Sequence, residues 1–366
     1  MRGFSLHPNV YSTGPLDGLI RMLEQIWVRE LTPGEGTLYL VSGFGNYNGG
    51  VRFFEAFRQH VARGGRIVSF FAGSTAQRLT SRQLVEELLT VGAEVHLVNR
   101  KRLLHSKIYG SSTDTGDQLI VTSGNFTGPG MSQNVEAALM LDSDGTQEIG
   151  FSWAEVVNSL LRQTWDRYLP VLADPAAPAW QLLYDEAARG IVLDDTDEIT
   201  LIVVLGHSDT VRIQAAPGTV EVAGTQYFWL SRDSYGFFPP LTLRNSRGTK
   251  ATFSCLVRMH YIDLGVTQES RVTFEAENNL DFRLGTGPLR STRIAGTGDL
   301  AVISRTSETD YELRIVRQDT QLYGLLRQHA VNIIGHQGKQ YGYIDNDTFS
   351  SLTGIRLPSV PRAGFI

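Results

Sequence analysis

Five side chains between residues 105 and 136 have the chemistry to work on a phosphate ester: His105, Lys107, Ser123, Asn125 and Glu136. In His105-Ser106-Lys107 an imidazole and an ammonium stand two residues apart, and on a strand such residues share a face. Lys107 can hold a phosphate there while the His105 ring attacks its phosphorus. Thr122-Ser123-Gly124-Asn125 offers a hydroxyl and an amide for the developing charge. Glu136 can take the second ring N–H of His105, fixing the tautomer that aims the other nitrogen at phosphorus. That is phosphoryl transfer without a metal. No other His-x-Lys occurs, since His336 and Lys339 are one residue too far apart, so one chain supplies one histidine where two displacements need a nucleophile and an acid.

The elements around these residues read as a sheet with helices. Residues 118–122 and 135–141 are apolar runs of strand length, and with the His-x-Lys strand they form a meander. Ahead of them, strands are expected at 37–41, 66–71 and 94–98, and helices at 16–31, 51–61 and 81–89, with a closing helix over 151–169. Such alternation predicts a helix-covered sheet. Residues 43–50 are glycine-rich without the Lys-Ser/Thr ending of an ATP loop, and are expected to form a structural turn at the edge of the site.

The order His-x-Lys, then Ser-Gly-Asn, then a lone acid resembles the phospholipase D superfamily, with Thr122 where its Gly-Ser-x-Asn motif has glycine and Ser112 where its larger branch has aspartate. The strings Phe4-Ser5-Leu6-His7-Pro8-Asn9-Val10-Tyr11, Tyr47-Asn48-Gly49-Gly50-Val51-Arg52-Phe53, Ser123-Gly124-Asn125-Phe126-Thr127-Gly128-Pro129-Gly130 and Arg271-Val272-Thr273-Phe274-Glu275 are similar to the BfiI-like restriction endonucleases, and the similarity runs over nearly the whole chain. The resemblance implies a metal-independent type IIS site-specific deoxyribonuclease that works as a homodimer, two copies of His105 meeting on one phosphorus. It also implies double-stranded DNA as the partner and a methyltransferase acting separately on the same site. Close relatives read the asymmetric hexamer ACTGGG, which sets the expectation for this chain. An inhibitory role for an acidic linker is a further implication.

Composition is compatible with this. The 366 residues suffice for two domains, and 42% apolar with 19% charged residues is ordinary for a globular chain. No apolar run reaches the length of a membrane span, no basic-then-apolar leader is seen, and a single Cys255 permits neither an internal disulfide nor a cysteine zinc site. A cytoplasmic protein without membrane contact, cofactor or metal is expected. The net charge of −5 looks wrong for a DNA partner. However, Asp185, Glu186, Asp194, Asp195, Asp197 and Glu198 stand against Arg189 alone and account for roughly the whole deficit, and the local field, not the total, steers a polyanion.

The expected organisation is α/β plus all-β: residues 1–170 a phospholipase D-like α/β/α sandwich carrying nuclease and dimer contact, 171–199 a linker, and 200–366 a B3-like β-pseudobarrel. In the last part short β-runs are expected at 200–205, 211–213, 226–230, 241–243, 271–274, 300–303 and 311–315. Arg212, Gln214, Thr225, Trp229, Arg247, Lys250, Arg271, Asn279 and Lys339 are the candidates for DNA contact, because Arg forks guanine, Asn and Gln fork adenine, and Lys holds phosphate. Two other readings share the motif: a lipid phosphodiesterase, disfavoured by the missing second motif and membrane segment, and a DNA-binding regulator with a disabled hydrolase, disfavoured by the complete residue set.

Overall fold

Two compact units divide the chain, residues Met1–Ala187 and Ala188–Ile366, in a computed structural model. The structure describes residues 2–7, 10–100, 103–162, 166–187, 199–220, 223–247, 250–275, 282–334 and 339–358.

In the first unit, strands β1 (Gly3–His7), β2 (Tyr11–Ser12), β3 (Thr37–Ser42), β4 (Arg66–Ala72), β5 (Glu94–Asn99), β6 (Lys107–Thr113), β7 (Gly116–Thr122), β8 (Glu136–Leu141) and β9 (Asp166–Tyr168) form one sheet in the order β2-β1-β8-β7-β6-β3-β4-β5-β9. The β3-β4-β5 strands run parallel, and β6-β7-β8 are the expected antiparallel meander. Strand alternation sends side chains to two apolar faces. On one face Trp27, Phe57 and Phe126 pack around Tyr109. On the other, Trp153 stacks on Tyr39 among Val41, Phe70, Ile108 and Leu119. Helices Phe54–Ala62 and Arg82–Thr90 fall close to their expected places.

The closing helix is a correction. Its described part is Trp153–Arg162, and Asp166–Tyr168, expected within it, form β9 along the open edge of β5, where unpaired backbone groups gain partners. Residues 171–187, assigned to the linker from composition, pack on this unit. Trp180 and Leu182 are buried, Tyr184 bridges Ser81, and the Glu186 carboxylate accepts the Tyr47 N–H at 2.8 Å. The remaining linker acids, Asp194 to Glu198, lie outside the described residues.

The second unit is nearly all β. Strands β10 (Ile199–Val204), β11 (Tyr227–Leu230), β12 (Leu243–Arg247), β13 (Lys250–Tyr261), β14 (Val266–Glu275), β15 (Phe282–Gly285), β16 (Leu300–Arg305), β17 (Asp310–Val316), β18 (Asn332–Ile334) and β19 (Lys339–Asp345) make a second sheet, ordered β11-β15-β14-β13-β17-β16-β10-β19-β18 with β12 on β13. It curls into a nearly closed barrel. Lys339 on β19 donates to the Trp229 carbonyl on β11 at 2.6 Å and to Asp209 at 2.7 Å, so a side chain joins strands from opposite ends of the strand order. The run 211–213, expected as strand, lies in the helix His207–Gln214. The buried Asp209 carboxylate starts that helix by accepting the Gly206 N–H, a local bond that outweighs the β preference of Val211 and Ile213. The expected run 241–243 forms strand only from Leu243 onward.

Candidate active site and nucleic-acid interface

The end of β3, the start of β6, the end of β7 and the start of β8 lie at one edge of the first sheet, because Ser42 pairs with Lys107, Ile108 with Val121 and Thr122 with Ala138. This brings His105, Lys107, Ser123, Asn125 and Glu136 to that edge, as the spacing predicts. Lys107 begins β6, with its ammonium 3.4 and 3.3 Å from the two ring nitrogens of the exposed His105. Partial burial lowers the Lys107 pKa, and the negative Glu136 opposes that shift. An ammonium beside an imidazole suits a site whose missing component is an anion.

His105 itself stands before β6, in coil. Its place is set by the loop after β3. The Gly43 N–H bonds the Ser106 carbonyl at 3.0 Å, and the Phe44 ring meets the His105 ring edge-on at 6.0 Å. A Cβ on Gly43 would come within 2.9 Å of the Leu104 carbonyl oxygen, so only glycine allows this approach. The glycine-rich stretch, expected as a turn throughout, is a loop only at residues 43–46, beside His105, and then a short helix, Tyr47–Gly50, capped by Asn46. Within it the Asn46 side chain ties Gly49 to Gly128, each N–H at 3.0 Å.

Glu136 does not take up the role expected of it. Its carboxylate accepts from the Ser123 hydroxyl and from the Asn134 amide at 3.3 Å, and no bond joins it to His105 of the same chain. Because His105 lies outside the strand, alternation along β6 does not turn its ring toward β8. Ser123 also receives the Ala137 N–H at 3.0 Å, so hydroxyl and carboxylate form one unit across β7 and β8. Asn125 is half-buried and its Oδ1 has no partner among the described residues, an unmet polar atom at the site. The Gln133 amide nitrogen is likewise buried and unpaired.

Two supporting residues were missed from sequence. The Ser42 hydroxyl accepts the Phe126 N–H at 3.0 Å, and the Tyr109 hydroxyl donates to the Gly124 carbonyl at 3.0 Å. Together they fix the Ser-Gly-Asn turn from beneath. Tyr109 is fully buried, which pushes its phenol well above the usual range and keeps it a neutral donor. A tyrosine two residues beyond Lys107, on the same strand face, was the available clue.

In the second unit, burial alternates along β11, β15 and β14. Phe228, Leu230, Phe282, Leu284, Val272 and Phe274 point inward, while Tyr227, Trp229, Arg283, Arg271 and Thr273 share the outer face. Arg212, from the helix His207–Gln214, stacks over Tyr227 with its guanidinium 5.9 Å from the ring centre, and its Nε donates to the Ala223 carbonyl at 2.9 Å. Arg271 donates to the Ser254 hydroxyl at 3.0 Å, and Thr225 is exposed just ahead of β11. Arg212, Thr225, Trp229 and Arg271 therefore come to one region. Arg247 and Lys250 pair across the β12–β13 turn. The Gln214 amide is engaged by the Ala295 carbonyl. Asn279 lies outside the described residues. Lys339 departs from expectation: its ammonium is turned inward onto Asp209 and Trp229 to close the barrel. Burial lowers its pKa, and Asp209 opposes that shift. Sequence also gave no sign of the loop after β15, where Ser291 and Arg293 adopt left-handed backbone while their N–H groups bond the carbonyls of Arg212 and Ile213.

No cluster of three or more metal-binding side chains occurs among the described residues, and no helix there is long and apolar enough to cross a membrane. A search of curated proteins found no significant match. Among solved structures, Nuc of Salmonella typhimurium, a phospholipase D family member, aligns at 14% identity and TM-score 0.33, covering 46% of this chain and 96% of its own. NucT of Helicobacter pylori aligns at 12% and 0.28, covering 40% and 86%, and phosphatidylserine synthase of Haemophilus influenzae at 13% and 0.29, covering 46% and 38%. These likenesses are remote. The family model described as the DNA-binding domain of the metal-independent restriction enzyme BfiI matches residues 193–356. On that match residues 193–356, which make up most of the second unit, are similar to a BfiI-type DNA-binding domain.

Proposed function

We propose that the chain is a metal-independent type IIS restriction endonuclease, cutting double-stranded DNA with its first unit beside a site read by its second. The observation that carries this is the meeting of His105, Lys107, Ser123, Asn125 and Glu136 at one sheet edge in a chain that also holds a BfiI-type DNA-binding domain. The family description names a restriction enzyme, which favours DNA over lipid as substrate.

One chain offers one His105, so the site is completed by a second copy about a two-fold axis. One imidazole forms a bond to phosphorus as the P–O3′ bond breaks, and the other, charged, gives its proton to the leaving oxygen. That second ring then takes a proton from water, whose oxygen displaces the first histidine and frees a 5′-phosphate end. The Lys107 ammonium groups neutralise the crowded phosphorus. The Asn125 amide, whose Oδ1 has no partner among the described residues, turns its N–H2 toward the same oxygens. Glu136 holds Ser123 and supports the charge of Lys107. The scheme needs one ring neutral and its partner charged at once, so the rate is highest at or below neutral pH.

The contact between copies is assigned to the exposed surface of the same strands, where Phe4, Leu139 and Val121 stand opposite one another on β1, β8 and β7, 36%, 41% and 44% exposed. Plasmid DNA incubated with the protein in excess EDTA, with the ends sequenced, is the direct test. The expected result is cleavage at a fixed offset from one sequence, with His105→Ala binding that sequence without cutting it. Strict dependence on magnesium, or a rate that rises steadily to pH 9, would refute the scheme.

A further inference from the structure

Arg283 drew no attention in the sequence, yet it stands in the middle of the cationic face of the second unit. On β15 it pairs with Trp229 of β11 on one side and Thr273 of β14 on the other. Its guanidinium lies 5.4 Å from the centre of the Tyr227 ring, the ring that also carries Arg212 at 5.9 Å. Trp229 meets the same tyrosine edge-on at 5.1 Å.

Charge accounting separates Arg283 from the ion-paired arginines of the chain. Arg2, Arg52, Arg58, Arg258 and Arg314 each sit against a carboxylate. Arg283 and Arg212 have no carboxylate partner among the described residues and share one aromatic ring instead. Two like charges on a single ring repel each other, so the arrangement is unfavourable in isolation and improves when an anion binds beside it. Stacking occupies the flat face of a guanidinium and leaves its N–H edge free for two parallel bonds to an oxyanion. It also limits the rotamers that must be given up on binding.

We infer that Arg283, held down on Tyr227 beside Arg212, grips a backbone phosphate of duplex DNA and sets the register in which the neighbouring residues read bases. This rests on the DNA-binding reading of the second unit and adds a contact to it. Phosphate is favoured over a base edge by position. Thr225 and the Arg247–Lys250 turn lie at strand ends, whereas Arg283 rises from mid-strand and is pinned to the sheet, where the outside of a duplex arrives first.

The test uses the full-length chain made cleavage-dead by His105→Ala, with and without Arg283→Ala, Arg283→Lys or Tyr227→Leu. Binding is measured on short duplexes with the ACTGGG hexamer and with that hexamer scrambled, over a range of salt concentrations. Arg283→Ala is expected to weaken binding to both duplexes by a similar factor, of order tenfold, and to reduce the salt slope by about one. Arg283→Lys should keep the slope, and Tyr227→Leu should weaken binding in the same even manner. Unchanged affinity and slope in Arg283→Ala would overturn the inference while leaving DNA binding by the parent intact. So would a loss confined to the ACTGGG duplex, which marks a base contact. If the parent chain binds neither duplex, the DNA-binding reading falls together with the inference.

Discussion

Glu186 shows how one residue can tie a segment to a domain through a proton. Its carboxyl is 6% exposed and accepts the Tyr47 N–H, with Ser81 as a second donor and the negative Asp185 beside it. Burial raises its pKa from 4.5 to about 8, the two donors acting against that rise. Between those pH values the folded chain keeps a proton that the unfolded chain has released. The stability from this group is therefore full below about pH 4.5 and is lost as pH rises through 8. Glu186→Gln, which stays neutral, should be more resistant to heat than the parent at pH 9 and no more resistant at pH 5. Parallel pH profiles of the melting temperature in the two proteins would refute this. At the same scale the site residues were visible in the sequence because their types and spacing are chemical requirements. That Glu136 bonds Ser123 and Asn134 and not His105 was not visible, since it depends on where the coil before β6 puts the ring.

Among the elements, β1, β7 and β8 carry both the acid–hydroxyl pair and the apolar row Phe4, Leu139, Val121. This exposed apolar row is where the proposed contact between copies lies. Leu139→Asp should convert a dimer to a monomer in sedimentation and lower cleavage by roughly 100-fold, because the second histidine is then no longer held in place. The melting temperature should change little, as the side chain is exposed in the single chain. A variant that remains dimeric and active would place the contact elsewhere. Strands were readable wherever apolar runs of five or six residues met turn residues, as in β3 to β5. The reading failed at Val211-Arg212-Ile213, where an aspartate outside the window started a helix. It failed again after Arg162, where the free edge of β5 drew the chain into β9.

For the whole molecule, strands from opposite ends of the second unit's nearly closed barrel are joined by a buried ion pair. Lys339 and Asp209 keep 10% and 0% of their side chains exposed and join β19, β11 and the helix His207–Gln214. Removing one partner leaves a buried charge without compensation, at a cost of about 3–5 kcal/mol. Lys339→Met should therefore destabilise the second unit by that amount in denaturant unfolding, and adding Asp209→Asn should recover part of the loss. A single variant as stable as the parent would show that the closure does not depend on the pair. Loss of DNA binding in Lys339→Met is expected as a consequence of the opened barrel, with Arg212 and Trp229 no longer held on one face.

Residue type and spacing alone determined the candidate site residues, the two-part organisation and most strands, because chemistry and hydrophobic period are local properties of a chain. The tertiary structure decided what depends on distant residues meeting: the Gly43 turn under His105, the Ser123–Glu136 unit, the docking of residues 171–187, and the inward turn of Lys339. It also placed Arg283 and Arg212 on one tyrosine, 71 positions apart in sequence, since only the pairing of strands decides which surface side chains become neighbours.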